Sequence, residues 1–275
     1  MNRLFKDFII GWIFLTMLFT IFSCKEAEKH PVTHRDYPDI MKSGQLNAVT
    51  EYNSISFHAF EDTLTGLHYE LLQAFAKEKG LTINITPEMS LEKRAEGMIN
   101  GKYDLLANNV LITSDREDSL LFTRPILLGK QVLVQRKAQS ETDSTYIHSH
   151  LELSNKTLFV VKGSPSIYRI RNLSNEIGDT IFIQEVDKYG MEQLLAMVAH
   201  GEIDYAVCDE GIAKAAIAEL PNLDIDTNIS FTQFYSWGVN KNSPILLDTL
   251  NVWIERYKKT PEFRKLIKKY SYTTN

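Results

Sequence analysis

The sequence predicts an α/β protein of two lobes, each built on a doubly wound, mostly parallel sheet flanked by helices. Two observations carry this prediction: strand and helix patterns alternate in two separate runs, and a short motif is repeated between the runs. A β-α-β-α-β order favours parallel strands joined by right-handed helical crossovers. Two extended stretches connect the runs, so we expect a two-strand hinge between the lobes.

The first run contains three strands and three helices, and glycine ends each helix. Its predicted elements are a short helix ending at Gly44, a strand over 46–50, a helix over 67–79, a strand over 82–86, a helix over 91–100 and a strand over 103–108.

The second run repeats this order after a polar loop over 138–149. Its predicted elements are a strand over 157–161, a helix from 165 or 166, a strand over 180–184, a helix over 191–200 and a strand over 205–208. The motif Met98-x-x-Gly101-x-x-Asp104 of the first run parallels Met197-x-x-x-Gly201-x-x-Asp204 of the second. In both motifs a glycine ends a helix just before a buried strand, which indicates two similar lobes.

The remaining segments complete the two lobes. Extended stretches over 129–136 and 229–240 are expected to cross between them, and amphipathic helices over 245–258 and 261–270 are expected to pack on the first lobe. The predicted boundaries are 39–130 with 235–275 for the first lobe, and 131–234 for the second.

Composition and charge exclude some classes of protein. The 275 residues are enough for one large domain or two domains of about 100 to 150 residues. A hydrophobic fraction of 44% and a charged fraction of 24% are those of a globular protein. The formal net charge of -5 and the absence of a basic run give no general attraction to nucleic acid.

The N-terminus has the features of an export signal. Arg3 and Lys6 precede a 15-residue apolar run over 8–22, too short for a comfortable membrane span. The run ends in Ile-Phe-Ser-Cys, which resembles a bacterial lipobox. We therefore expect a signal peptide over 1–24 and a lipid-modified Cys24 that tethers the chain to a membrane outside the cytoplasm.

The alternatives at this end are an exported protein cleaved elsewhere and an uncleaved single anchor. Residues 25–38 are polar and contain two prolines, which predicts a flexible tether.

The stretch 104–125 carries the first candidate site. Asn108 and Asn109 interrupt apolar runs, and because Asn is disfavoured inside strands we expect these amides to have partners. Ser114 and Glu117 have the spacing of a capping box. Arg116 is unfavourable in a first helical turn, which suggests a nearby anion such as a bound carboxylate. Composition and spacing alone favour the alternative, in which Arg116 pairs with a surface acid such as Glu117 or Asp118.

Two further helix starts follow buried strands. Ser164 and Pro165 follow the strand over 157–161 and Gly163, and such a start exposes backbone N–H groups that can hold an anion. Asp209 follows the strand over 205–208, where it can cap the next helix.

The pattern Ile-Thr, two residues, Arg, then Phe-Thr-x-Pro over 112–125 resembles the family 3 extracellular solute-binding proteins. These are bilobed amino-acid receptors of ABC importers, with the type II periplasmic-binding-protein fold. The resemblance implies that Arg116, helped by the 164–166 segment, clamps a ligand carboxylate and that Asp209 receives the ligand ammonium. The ligand-binding residues that it implies are Tyr52, Phe57, Asn109, Leu111, Arg116, Ser164, Ser166 and Asp209.

Two features depart from amino-acid receptors of this family. Leu111 offers only backbone groups, and Asn-Ser-Ile-Ser-Phe over 53–57 replaces the usual Pro-Phe. The loop over 50–66 and the segment over 105–111 look closer to the binding domain of the F-type membrane-bound lytic murein transglycosylases, which senses amino acids or peptidoglycan fragments. The resemblance covers roughly 39–272, and we expect no transglycosylase module to accompany it.

The resemblance therefore implies a lipoprotein that closes on an amino acid or short peptide, with an ABC importer permease as partner. A sensor of muropeptides and a dehydratase-type enzyme are the alternatives. There is no nucleophile–base pairing, metal-ligand spacing or phosphate loop, so we expect no catalytic residue, metal or cofactor. Cys208 is expected to be a buried, inert thiol. The histidines are expected to lie at the surface or in loops: His58, His68, His148, His150 and His200.

Overall fold

The computed structural model describes residues 34–111, 118–270 and 272. The predicted signal peptide, Cys24, most of the predicted tether and Arg116 lie outside these residues. None of the helices in the described ranges has the length and apolar character needed to cross a bilayer.

The described chain alternates helices and strands. In chain order up to the middle, the elements are α1 Tyr37–Ser43, β1 Gln45–Thr50, β2 His58–Phe60, β3 Thr63–Thr65, α2 Leu67–Lys79, β4 Thr82–Pro87, α3 Leu91–Ile99, β5 Leu105–Leu111, β6 Leu120–Phe122, β7 Leu127–Gly129 and β8 Gln131–Arg136. After a 3-10 turn at His150–Leu153, they are β9 Thr157–Val161, α4 Ser166–Ile177, β10 Phe182–Val186, α5 Met191–His200, β11 Ala206–Asp209, α6 Glu210–Ile217, β12 Leu223–Asp224, β13 Gln233–Asn240, α7 Pro244–Tyr257 and α8 Pro261–Lys269.

The strands form two main sheets with the same internal order. In the first sheet the order is β4-β1-β5-β13-β6, with β7 also paired to β13; in the second it is β10-β9-β11-β8-β12. The three strands of each β-α-β-α-β run are parallel, and the strands beyond them pair antiparallel. This is the repeated, doubly wound arrangement that the sequence predicts.

The chain passes between the two sheets twice. Lys130 alone separates β7 of the first sheet from β8 of the second, and the segment after β12 leads back into β13. Two crossings of this kind give a hinge. The domain boundaries given above stay predictions.

Strong periodic patterns and glycine stops gave the most accurate element bounds. The helices at 67–79 and 191–200 and the strand at 157–161 have the predicted ends. Gly66 begins α2 with φ of 131°, and a side chain there would collide with the Ser56 carbonyl oxygen, so glycine is required.

One expectation about a strand end and one about a single residue are wrong. The strand predicted to end at Asn108 runs on to Leu111, because the antiparallel partner β13 pairs with it from Leu105 to Leu111. His68 was expected at the surface, but it lies in α2 with only 1% of its surface exposed. Cys208 is buried, as expected.

The first lobe is closed by the C-terminal helices. α7 packs on β13 and β6, and α1 packs on α7. Trp253 of α7 is buried against Phe75 of α2, with ring centroids 5.4 Å apart in an edge-on arrangement. Burial of such aromatic rings is a large apolar contribution, on the order of 2 to 3 kcal/mol for each fully buried side chain.

Candidate functional site

The carboxyl ends of four parallel strands border the same space between the two sheets. β1 and β5 contribute from the first sheet, and β9 and β11 from the second. Ligands of open α/β sheets bind at such strand ends. The side chains that follow these ends are therefore the candidates for a site.

A chain of four hydrogen bonds joins the first lobe to the second. The indole N–H of Trp237 lies 2.9 Å from His68 Nδ1, and His68 Nε2 lies 2.9 Å from Asn109 Oδ1. Asn109 Nδ2 donates to the Tyr272 hydroxyl at 2.7 Å, and this hydroxyl donates to Asp209 Oδ1 at 2.8 Å. Tyr272 thereby connects β5 of the first sheet with the end of β11 in the second.

The direction of every bond in this network follows from Trp237. An indole N–H can only donate, so His68 Nδ1 must accept and His68 must carry its proton on Nε2. Nε2 then donates to Asn109 Oδ1, which leaves the amide nitrogen to donate to Tyr272. The Tyr272 hydroxyl accepts this bond and gives its own proton to the Asp209 carboxylate. Burial lowers the pKa of His68 to about 4, which agrees with a neutral ring.

Asp209 is a buried acid at the interface of the lobes. Its Oδ1 accepts from the backbone N–H groups of Gly211 at 2.9 Å and Ile212 at 3.3 Å, so it caps α6. Oδ2 is buried and has no hydrogen-bond partner of ordinary geometry among the described residues, although the Tyr235 hydroxyl lies near the carboxylate. Burial raises the pKa of Asp209, and the two tyrosine hydroxyls and the helix N–H groups lower it in part.

Two further acids lie close to Asp209. Glu51, directly after β1, is buried, and burial raises its pKa; the charge of Arg94 lowers it, while the charges of Glu192 and Asp209 raise it further. Arg94 Nη2 lies 3.4 Å from Glu51 Oε2. Glu192, on the second lobe, accepts a 2.8 Å hydrogen bond from the Ser54 backbone N–H of the first lobe. Three carboxylates from two lobes therefore share one region, with one buried guanidinium.

A cavity of about 330 Å³ lies beside this cluster and is bordered by both lobes. The second lobe contributes Lys162, Gly163 and Asp187 to its border, and the first lobe contributes apolar side chains together with Ser90, Glu92, Arg94 and Asn108. The acids Asp209, Glu51 and Glu192 lie outside this border. Its volume is in the range of pockets that hold small molecules. Asn108 Oδ1 is buried and has no hydrogen-bond partner in the part of the chain that the structure describes.

A cavity between two lobes, an acid on each side and a two-strand hinge are the arrangement of a bilobed receptor. The family model for bacterial extracellular solute-binding proteins, family 3, matches residues 46–273. The chain belongs to this family. The resemblance noted in the sequence is thereby confirmed.

Relatives and solved structures agree with this membership. The membrane-bound lytic murein transglycosylase F of Shewanella loihica is 26% identical over 243 residues, which are 87% of this chain and 49% of that protein. The chain thus spans about half the length of the curated relatives it matches.

Two ancestral proteins have solved structures that superpose well on this family member. An ancestral arginine-binding protein bound to arginine has a TM-score of 0.72 at 23% identity, and covers 83% of this chain and 98% of its own. An ancestral amino acid-binding protein described as a precursor of cyclohexadienyl dehydratase has a TM-score of 0.72 at 22% identity, and covers 85% of this chain and 98% of its own. At such identities these likenesses show the fold alone, which is the type II periplasmic-binding-protein fold.

The structure of this solute-binding protein brings together two of the residues implied by the resemblance. Asp209 and Asn109 lie on opposite lobes, and the Tyr272 hydroxyl bridges them. Asn109 thus uses its amide inside strand β5, as expected. Leu111, at the end of β5, is buried and pairs with Tyr235 of β13.

The serines at the start of α4 lie at the carboxyl end of β9. The helix begins at Ser166, one of the two predicted starts, with Pro165 as its N-cap. Ser164 bonds to Ser166, with their hydroxyl oxygens 2.7 Å apart, and both side chains are buried. Their neighbour Gly163 borders the cavity.

The two aromatic candidates in the loop after β1 have different surroundings. Phe57 is buried and packs against Tyr69, with ring centroids 5.6 Å apart, which is a core position. Tyr52 is 45% exposed and touches Phe57 edge-on. Asn53 holds this loop by accepting from the N–H groups of Ile55 and Ser56.

Sequence reasoning missed four residues of the site: Glu51, Arg94, His68 and Tyr272. Glu51 carried a usable signal, because it is a charged residue directly after a buried strand that ends at the site. Arg94 lies in α3 and is buried, with Glu51 and the carbonyl groups of Glu88 and Met89 as its partners. Tyr272 and His68 carried no local signal.

Proposed function

We propose that this chain is an extracytoplasmic solute-binding lipoprotein, anchored through Cys24, that captures a small zwitterion by closing its two lobes. The ligand class is an amino acid or a short peptide, and the partner is an ABC importer permease. The observation that carries the proposal is the buried Asp209 carboxylate at the end of β11, whose Oδ2 has no hydrogen-bond partner of ordinary geometry among the described residues.

An ammonium group suits this place for an electrostatic reason. The charges of Glu192 and Asp209 raise the pKa of Glu51, and the charge of Arg94 opposes this rise. A cation bound between the lobes would favour the ionised form of each acid. Charge-assisted hydrogen bonds to such a buried carboxylate are worth about 1.5 to 3 kcal/mol each.

The opposite end of the zwitterion requires donors to a carboxylate. In this proposal Arg116, the hydroxyl of Ser164 and the backbone N–H groups at the start of α4 supply them. Lys162 and Gly163, which border the cavity, lie in the segment that leads into that helix start. Tyr52 would cover the ligand side chain from the first lobe, and we assign no catalytic role to any residue.

A sensing role without transport is the second candidate. Its support is the similarity to the F-type lytic murein transglycosylases, which cover most of this chain with about half of their own length. In that role the same site would take a peptide fragment of peptidoglycan, which also carries ammonium and carboxylate groups. A dehydratase activity is the least supported reading, since no described side chain is paired as nucleophile and base.

Ligand-dependent thermal stability tests the proposal. The full chain in mild detergent would be mixed with amino acids, short peptides and muropeptides, and its melting followed by the fluorescence of the buried Trp237 and Trp253. A ligand at 100 times its dissociation constant should add about 2.7 kcal/mol and raise the midpoint. A rise with amino acids or peptides supports the importer receptor, and a rise with muropeptides alone supports the sensor.

Two isosteric variants show whether the ligand uses Asp209. Asp209→Asn keeps an N-cap for α6 but removes the charge, so it should abolish the rise. The control Glu210→Gln removes the charge of the adjacent acid, which pairs with Lys130 and Lys214 outside the cavity, and should keep the rise. If both variants respond as the parent chain does, Asp209 is not the ammonium acceptor. If no compound shifts any of them, the proposed ligand class is wrong.

A further inference from the structure

We propose that the Tyr272 hydroxyl occupies the ammonium position of the ligand site and holds the lobes closed when no ligand is bound. The inference rests on the proposed function, because that function assigns the ligand ammonium to Asp209. It concerns a single side chain from the last described residue, which lies beyond the C-terminal helix α8.

The Tyr272 hydroxyl bonds to both lobes. It donates to Asp209 Oδ1 on the second lobe at 2.8 Å, as a bound ammonium group would, and it accepts from Asn109 Nδ2 on the first lobe at 2.7 Å, which an ammonium group cannot do. The direction of these bonds is fixed by the Trp237–His68 pair, so the hydroxyl proton must point to the carboxylate. Only 9% of Tyr272 is exposed, so water does not replace these bonds.

Tyr272 is anchored on the first lobe. The adjacent helix end is fixed there by Tyr270, whose hydroxyl accepts from the Gly66 N–H at 2.8 Å and also bonds to Thr65 and Glu70. The Tyr272 backbone N–H bonds to the Ile267 carbonyl at 3.2 Å. The hydroxyl end of the Tyr272 ring therefore reaches the second lobe, and its bond to Asp209 links the two lobes.

The second lobe leaves room for this ring at Gly211. A Cβ atom at that position would collide with the Tyr272 hydroxyl, while the backbone of Gly211 has no positive φ and accepts alanine. Alanine also favours the first turn of a helix. Gly211→Ala is thus a way to displace Tyr272 from Asp209 without changing either residue.

A ligand ammonium that bonds to Asp209 Oδ1 competes with the Tyr272 hydroxyl for that oxygen, whereas Oδ2 has no hydrogen-bond partner of ordinary geometry among the described residues. Removing the hydroxyl should therefore open the ligand-free protein and tighten ligand binding. A neutral hydroxyl is a weaker partner for a carboxylate than an ammonium group is, so a bound ligand can displace the hydroxyl.

The distance between the lobes in the absence of ligand tests the inference directly. Spin labels at Glu96→Cys on α3 and Lys188→Cys after β10, both at exposed positions, would report it in the full chain carrying Cys24→Ser. Pulsed electron resonance should give one short distance for the parent chain. Tyr272→Phe and Gly211→Ala should both give a longer mean distance.

Tyr270→Phe is the matched control, since it removes a tyrosine hydroxyl whose partners all lie on the first lobe. It should keep the short distance. If Tyr272→Phe and Gly211→Ala keep it as well, Tyr272 only fills space and the inference is overturned. Addition of L-arginine tests the proposed function separately: closure of Tyr272→Phe supports it, and no closure with any compound of the panel counts against the ligand class alone.

Discussion

The indole N–H of Trp237 donates a 2.9 Å hydrogen bond to His68 Nδ1 in the interior of the first lobe. Trp237 is fully buried and His68 is 1% exposed, so no solvent competes for either group. This bond selects one tautomer of His68 and thereby sets which atoms of Asn109 and Tyr272 donate and which accept. A core contact of β13 and α2 thus decides the direction of the hydrogen bonds in the candidate site.

Loss of that indole donor should cost more than loss of ring volume alone. Trp237→Phe removes the bond to His68, whereas Trp253→Phe removes an indole N–H that is buried and has no partner within the described ranges. We expect Trp237→Phe to lower the free energy of unfolding by about 1 to 2 kcal/mol more than Trp253→Phe does. Urea titration of both variants measures the difference, and equal losses would show that the bond contributes nothing.

The neutral form of His68 predicts a loss of stability in mild acid. The pKa of His68 is lowered from about 6.5 to about 4 on folding. Between these two values the unfolded chain binds a proton that the folded chain does not, so stability falls as the pH decreases through this window and is fully present above it. The whole shift corresponds to about 3 kcal/mol.

Urea unfolding at pH 7.5 and pH 5 measures this loss against His68→Gln, which removes the titrating ring. The parent chain should lose about 2 kcal/mol more than His68→Gln over this interval. Raised pKa values of Asp209 and Glu51 act in the opposite direction, since they favour proton uptake by the folded state. Both acids are present in both proteins, so their effect cancels. An equal pH dependence would mean that folded His68 takes up a proton.

The fold could be predicted because its signals are local. The period of α2 and α5 and the glycines after them fix those helices within the sequence itself. The two β-α-β-α-β runs then limit the sheet order to few choices. The end of β5 was missed for the opposite reason. Asn108 and Asn109 disfavour a strand, and what holds the strand is distant in the chain: pairing with β13 and the bonds of Asn109 to His68 and Tyr272.

The candidate site was only partly predictable. Asp209 is the last residue of β11 and Asn109 lies in the last half of β5, and the resemblance points to both residues. His68 takes its environment from Trp237, 169 positions away, and the place of Tyr272 depends on Asp209, 63 positions away. Partners so distant in the chain leave no pattern near either residue, so only the folded structure reveals them.

The Glu51–Arg94 pair should behave as one unit. Arg94→Leu leaves Glu51 buried without its counter-charge, which typically costs about 3 to 5 kcal/mol. The double variant Arg94→Leu with Glu51→Gln should recover a large part of that loss, because Glu51 is then no longer a buried charge without its partner. Unfolding free energies of the single and double variants form a cycle, and simple additivity would show that the two groups are independent.

The same pair gives a pH dependence with a defined sign. Burial already raises the pKa of Glu51, and removal of Arg94 takes away the charge that opposes this rise. In Arg94→Leu the folded state therefore binds a proton more readily than the unfolded state, so its deficit relative to the parent should shrink as the pH falls from 7.5 to 5. A deficit that stays constant would place Glu51 in contact with solvent in that variant.

The reactivity of the Cys208 thiol should distinguish opening of the lobes from unfolding of the chain. Cys208 is fully buried on the face of β11 that packs against α5 and α6, and burial together with the nearby Asp209 raises its pKa well above the ordinary value. The thiolate is the reactive form, so iodoacetamide at pH 8 should leave Cys208 unmodified in the folded chain and modify it in urea.

Mass spectrometry of the peptide that contains Cys208 measures this protection. Tyr272→Phe should keep it, because movement of the second lobe as a rigid unit leaves the contacts of β11 with α5 and α6 intact. A destabilising core variant such as Trp237→Phe should instead show modification in proportion to its unfolded fraction. If Tyr272→Phe is modified at the same rate as a chain in urea, its longer label distance reports unfolding and not an opened hinge.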